Sequence, residues 1–179
     1  TDSDNPKGGD HGVYYTTAGN LALNGEAWFQ AGSEFGYRAP LYFVFLAAIY
    51  AVVSAPPYLV AQIASAMLGA LNCLLLYFLV RNVLDERSAR LAFWIRGVVP
   101  SFVIADTFAL SEPLFGTFLL SALVILFRRS DDFQSIRPIF LGIFIGACML
   151  TREVAIVYPI IVAGLFLLMP GSGKQKTKH

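Results

Sequence analysis

From Pro40 onward the chain is organised as apolar blocks separated by short polar breaks. The blocks are Pro40 to Val53, Tyr58 to Val80, Ser88 to Leu110, Pro113 to Phe127, Pro138 to Leu150 and Val154 to Met169. A membrane-crossing helix needs about 20 mostly apolar residues. The second block, "YLVAQIASAMLGALNCLLLYFLV", meets that length unaided. The later blocks reach it once flanking polar residues are counted, as snorkelling permits. The first block is short, and Pro56-Pro57 breaks the chain after it. It is therefore expected to be a juxtamembrane or re-entrant helix.

Ahead of Pro40 the pattern changes. Tyr14, Ala18, Leu21, Ala22, Gly25 and Trp28 follow one another mainly in steps of three and four, the period of an amphipathic helix. Trp28 and Phe29 would anchor it at the membrane interface. Asp10 precedes its first turn, where a carboxylate can cap free N–H groups. The pattern predicts an all-α integral membrane protein, a polytopic helix bundle with juxtamembrane or re-entrant helices in its first external loop. Residues 1–57 would form that loop, 58–170 the transmembrane bundle and 171–179 a basic tail.

Composition supports this class. Hydrophobic residues make up 56% of the chain and charged residues 14%, against about 25% charged in soluble domains. Mean hydropathy is +0.63. A net charge of +1 gives no electrostatic footprint for nucleic acid. Cys73 and Cys148 both lie in apolar runs, so no disulfide is expected between them. No secretory signal pattern is evident, because the first apolar run starts late and follows acidic residues.

Charge sets the sidedness. Three short segments are basic: Arg81, Arg87 and Arg90; Arg128, Arg129 and Arg137; and Lys174, Lys176 and Lys178. All three are expected on the cytoplasmic side. The N-terminal region, Ala105 to Glu112 and Thr151 to Glu153 then lie outside, with five crossings. An external start implies an upstream helix or a larger polypeptide.

On this topology Asp10, Arg38, Asp106, Glu112, Arg152 and Glu153 gather near the outer face. Ionisable groups beside apolar segments are functional candidates. Taken singly, Asp106 and Glu153 read as solvated helix ends. Arg96, inside "AFWIRGVVP", reads as an arginine snorkelling to the inner headgroups, with a lipid-phosphate contact as the alternative. His11 beside Asp10 is weak evidence for a metal. "GSGK" at Gly171 to Lys174 lacks the spacing of a phosphate loop.

Five segments in order carry a family resemblance. Asp10, Tyr14, Ala18, Leu21 and Gly25 fit a D-x3-Y-x3-A-x2-L-x3-G pattern. "YRAPLY" around Arg38 follows, then the basic "RNVLDERSAR" with its helix ending in proline. "LSEPLF" at Leu110 to Phe115 and "GACMLTREVA" at Gly146 to Ala155 complete the series. Together these resemble the N-terminal part of GT-C glycosyltransferases, in the dolichyl-phosphate-mannose protein mannosyltransferase and aminoarabinose transferase group. The resemblance implies an inverting transfer of sugar from a polyprenyl-phosphate donor to a protein, lipid or glycan acceptor at the external or lumenal face. It places the catalytic acidic residue of the first external loop at Asp10, a second acidic position at Glu112 and an arginine at Arg152. The family often has two adjacent acidic residues at the first site, whereas His11 follows Asp10 here.

The residue types suit that chemistry. A carboxylate can take the acceptor hydroxyl's proton as it attacks the sugar C1. Arg152 or Arg38 can bind the leaving phosphate bidentately. Glu112 could orient the acceptor, or ligate a divalent metal if the reaction uses one; no cofactor is otherwise indicated. Tyr14 and Tyr15 could pack on a sugar face or serve as interfacial aromatics. The alternative is a non-catalytic membrane subunit that keeps this module for assembly or lipid binding, with a partner subunit supplying further helices. A small transporter fits poorly, since the charges gather at one face.

Overall fold

The computed structural model describes residues 14, 17–22, 39–53, 57–108, 110–128, 136–157, 160, 161 and 164. The described residues are helical, with short turns between helices. Residues 17–22 form a helical stretch ahead of α1 (Leu41–Tyr50). Then come α2 (Pro57–Val83), α3 (Glu86–Val98), α4 (Pro100–Thr107), α5 (Glu112–Leu126) and α6 (Arg137–Thr151), and a 3-10 turn over Glu153–Val157.

Helix α2 is the spine. Its 27 residues span about 40 Å at 1.5 Å per residue, enough to cross a bilayer. Only 22% of its most apolar stretch is buried within the protein. Much of the remainder, including Leu59, Ile63, Met67, Leu71, Leu74 and Phe78, is exposed and suits lipid. Helices α3, α4 and α5 pack on α2, α6 packs on α5, and α1 contacts both α2 and α6. At ten residues, α1 covers about 15 Å, half the hydrocarbon thickness. That length matches the juxtamembrane or re-entrant element expected of the Pro40 to Val53 run.

The turn from α2 to α3 is fixed by local chemistry. Asp85 adopts an extended backbone, and its carboxylate accepts from the Ser88 N–H at 2.6 Å, a helix N-cap. This hydrogen bond holds the Asp85 carboxyl below its ordinary pKa. Glu86 accepts from the Tyr77 hydroxyl at 2.8 Å and pairs with Arg81 at 3.2 Å. At the far end of α5, Arg137 donates to the carbonyls of Ile125 and Arg128, supplying partners that helix C-terminal carbonyls lack.

The run from Ser88 to Leu110, expected as one span, is bent by 60° between α3 and α4. Pro100 causes the break. It has no N–H to donate, and it drives the preceding Val99 out of helical geometry; Val99 sits at φ −63° and ψ 120°. Arg96 and Asp106 then join across the bend, Nη1 to Oδ2 at 2.7 Å and Nη2 to Oδ1 at 2.9 Å. Their side chains are only 11% and 14% exposed. The guanidinium also lies 4.4 Å from the Phe102 ring centre. Arg96 therefore does not snorkel to a headgroup, and Asp106 is not a solvated helix end. Both expectations fail for one reason: the bend folds each charge onto the other, which costs less than leaving either buried alone.

Two apolar clusters hold the rest. One gathers Tyr14, Ala18, Tyr42, Phe43, Leu46, Ala47, Ala61 and Leu114; the other gathers Ala122, Leu126 and Leu141 between α5 and α6. The three- and four-residue spacing of Tyr14, Ala18, Leu21 and Ala22 faces the first cluster. Trp28 and Phe29 lie outside the described residues. The Val154 to Met169 run, expected to open a fifth crossing, starts as a 3-10 turn after an extended Arg152.

Candidate functional site

Helices α5 and α6 are consecutive and packed together, joined through Arg137 at one end. The start of α5 and the end of α6 therefore meet at the other end of the bundle. Glu112 opens the first turn of α5 and Arg152 caps α6. Arg152 Nη1 donates to Glu112 Oε1 at 3.1 Å, across 40 residues of sequence. Both side chains are about 40% exposed, so the pair is open to solvent and to an incoming ligand. A carboxylate at a helix N-terminus is stabilised by the backbone dipole. The Arg152 guanidinium keeps further N–H groups beyond the one that Glu112 engages.

The N-terminal segment reaches the same place. The Tyr14 hydroxyl lies 3.5 Å from Ser111 Oγ, next to Glu112. Its ring meets Tyr42 edge-on, with centroids 4.9 Å apart. Tyr42 is fully buried, and its hydroxyl shares a hydrogen bond with Ser65 of α2 at 3.2 Å. Seven residues further along α2, Asn72 donates to the Pro113 carbonyl at 2.9 Å. The site's elements thus rest on one face of α2, where Ala61, Ser65, Gly69 and Asn72 recur at helical spacing.

A family model for dolichyl-phosphate-mannose-protein mannosyltransferase matches residues 37–179. This chain belongs to that family. The mannosyltransferase family consists of membrane glycosyltransferases of the GT-C type, and the helical bundle with its long apolar α2 agrees with that. No curated protein and no solved structure matches the chain.

Of the residues expected at the mannosyltransferase-type site, the structure brings together Tyr14, Glu112 and Arg152. Asp10, Tyr15 and Arg38 lie outside the described residues, as do Asp10's two competing roles as helix cap and base. The Glu153 side chain is likewise outside them. Among the described residues no three His, Cys, Asp or Glu side chains converge in a way that would hold a metal. Cys73 and Cys148 are both free thiols. Sequence reasoning missed Ser111, Tyr42, Ser65 and Asn72. Ser65 and Asn72 did carry a signal: two polar residues seven apart, hence on one face, in a largely apolar span.

Proposed function

We propose that this mannosyltransferase family member transfers a sugar from a polyprenyl-phosphate donor to a hydroxyl acceptor at the external or lumenal face, with inversion at C1. In this reading the acceptor oxygen attacks C1 as the bond from C1 to the phosphate oxygen breaks. The proton passes to a carboxylate, assigned to Asp10. The phosphate leaves with its negative charge, which Arg152, with Arg38, would bind. Glu112 would orient the acceptor and hold Arg152 in place until the phosphate engages it. Tyr14 would line the approach. The apolar faces left open on the bundle suit a lipid-linked donor, whose tail can remain in the membrane.

The observation that carries this reading is the Arg152–Glu112 pair. An anion-binding group and an acidic group, both half exposed, stand at one end of an apolar bundle. A long-chain lipid phosphate and a hydroxyl nucleophile need that combination. The test is sugar transfer in proteoliposomes loaded with polyprenyl-phosphate sugars. Asp10→Asn should abolish transfer while leaving insertion and folding intact. Undiminished transfer would remove Asp10 as the base. Donor-independent behaviour of the unmodified protein, with a stoichiometric membrane partner, would favour a non-catalytic subunit instead.

A further inference from the structure

We propose that Asn72 is a positioning residue, which sets the first turn of α5 and through it the place of the Glu112 carboxylate. The inference rests on the role given to Glu112 above.

Asn72 is a polar side chain at 1% exposure in the middle of α2, the one long apolar helix among the described residues. An amide there needs partners, because lipid and apolar side chains offer none. Its partners are specific. Nδ2 donates to the carbonyl of Pro113, the residue directly after Glu112. Oδ1 lies 3.1 Å from the Thr117 hydroxyl, which is also 2.9 Å from the same Pro113 carbonyl. The carbonyl can only accept, so the NH2 must face it, and the amide orientation is settled. The Thr117 hydroxyl shares its one proton between these two acceptors, so Asn72, Pro113 and Thr117 form one buried cluster spanning a turn of α5.

Two further observations show what the cluster does. Ser111 stands at the N-cap of α5 but makes no side-chain capping bond. The side-chain bond that commonly fixes a helix start is therefore missing, and α2 instead holds this turn through the Pro113 carbonyl. Gly116 faces the amide so closely that a Cβ there would sit 3.1 Å from Nδ2. Glycine at 116 lets Asn72 lie flat against the turn that carries Glu112. A residue that merely satisfied its own polarity could use any nearby carbonyl; this one grips the turn adjoining the site.

The test uses cysteine cross-linking with a short bifunctional thiol reagent in the membrane-embedded protein, because the Arg152–Glu112 contact is made at the tips of two long side chains, with Cys73 and Cys148 replaced by alanine. Glu112→Cys with Arg152→Cys reports the site end. Ala122→Cys with Leu141→Cys reports the mid-helix packing of α5 on α6. Asn72→Ala should lower the first cross-link severalfold and leave the second unchanged. Thr117→Val, which is nearly isosteric, should act in the same direction more weakly, and it decides the question if Asn72→Ala does not fold. An unchanged first cross-link, or equal loss of both, overturns the proposal. In a separate arm, Asn72→Ala in the otherwise natural chain should cut kcat about 10- to 100-fold, the scale of a misplacement near 1 Å, with donor KM little altered. A selective loss of the site cross-link with kcat intact would leave Asn72 as the positioning residue and instead remove Glu112 from the catalytic reading.

Discussion

Arg96 and Asp106 clasp each other through two hydrogen bonds across the 60° break between α3 and α4. The pair turns a proline break into a defined angle. Removing one member strands the other in a poorly solvated place, which costs about 3 to 5 kcal/mol for buried pairs. Asp106→Ala and Arg96→Ala should each destabilise the detergent-solubilised protein by about that amount. Replacing both together, by Arg96→Met with Asp106→Leu, should recover most of the loss. Equilibrium unfolding of the three variants checks this; a double variant as unstable as the singles would show that the charges themselves are required.

Gly69 makes room for that clasp. A Cβ at position 69 would overlap the Asp106 carboxyl. Gly69→Ala should therefore cost about 1 to 3 kcal/mol, the usual range for overpacking. Gly142 lies mid-helix in α6 with nothing near a prospective Cβ. Gly142→Ala should instead stabilise by about 0.5 to 1 kcal/mol. The same unfolding measurement separates the two, and the opposite signs distinguish a packing effect from a general glycine effect.

Much of this architecture was legible before any coordinates. The apolar block from Tyr58 to Val80 announced α2, and the short Pro40 run announced a helix unable to cross. What stayed hidden depended on direction rather than composition. Pro100 was visible inside the third block, but a proline can be absorbed within a span. Nothing local says that the chain turns by 60° there. Without the bend, Arg96 and Asp106 are merely ten residues apart, and the charge pattern points them to different membrane faces. Glu112 and Arg152 stand out as charges gathered at one membrane face, and the ordered family segments give them their roles. Their contact follows from the antiparallel packing of α5 and α6, which local periodicity does not encode. Asn72 was visible as a polar oddity, but its partner on α5 was not.

Asp85 gives the protein an acid-sensitive element at the α2–α3 turn. Its carboxyl is held below its ordinary range by the Ser88 N–H. A lowered folded-state pKa means that the capping contribution is fully present above the unfolded value, about 3.9. It is lost as pH falls through the still lower folded value. Asp85→Asn keeps an oxygen able to cap but removes the titration. The stability difference between wild type and Asp85→Asn should therefore be constant above about pH 5 and shift against the wild type below about pH 4. Unfolding midpoints measured across that interval report it, and parallel curves for the two proteins would contradict it.

Arg152 offers the sharpest test of the candidate site, because charge and shape can be separated there. Arg152→Lys keeps the positive charge but loses the planar fork that grips a phosphate through two N–H groups. Arg152→Ala loses both. If the arginine stabilises the departing lipid phosphate, Arg152→Ala should lower kcat by about 100- to 1,000-fold, the scale seen when one transition-state donor is removed. Arg152→Lys should recover only part of that. Glu112→Gln should behave differently: it releases Arg152 from its ion pair, so donor binding should strengthen or hold while turnover falls. Steady-state kinetics with a polyprenyl-phosphate sugar, varying donor and acceptor separately, resolves these patterns. Equal weakening of donor binding in Glu112→Gln and Arg152→Ala would mean that the pair only braces α5 against α6, with no part in handling the phosphate.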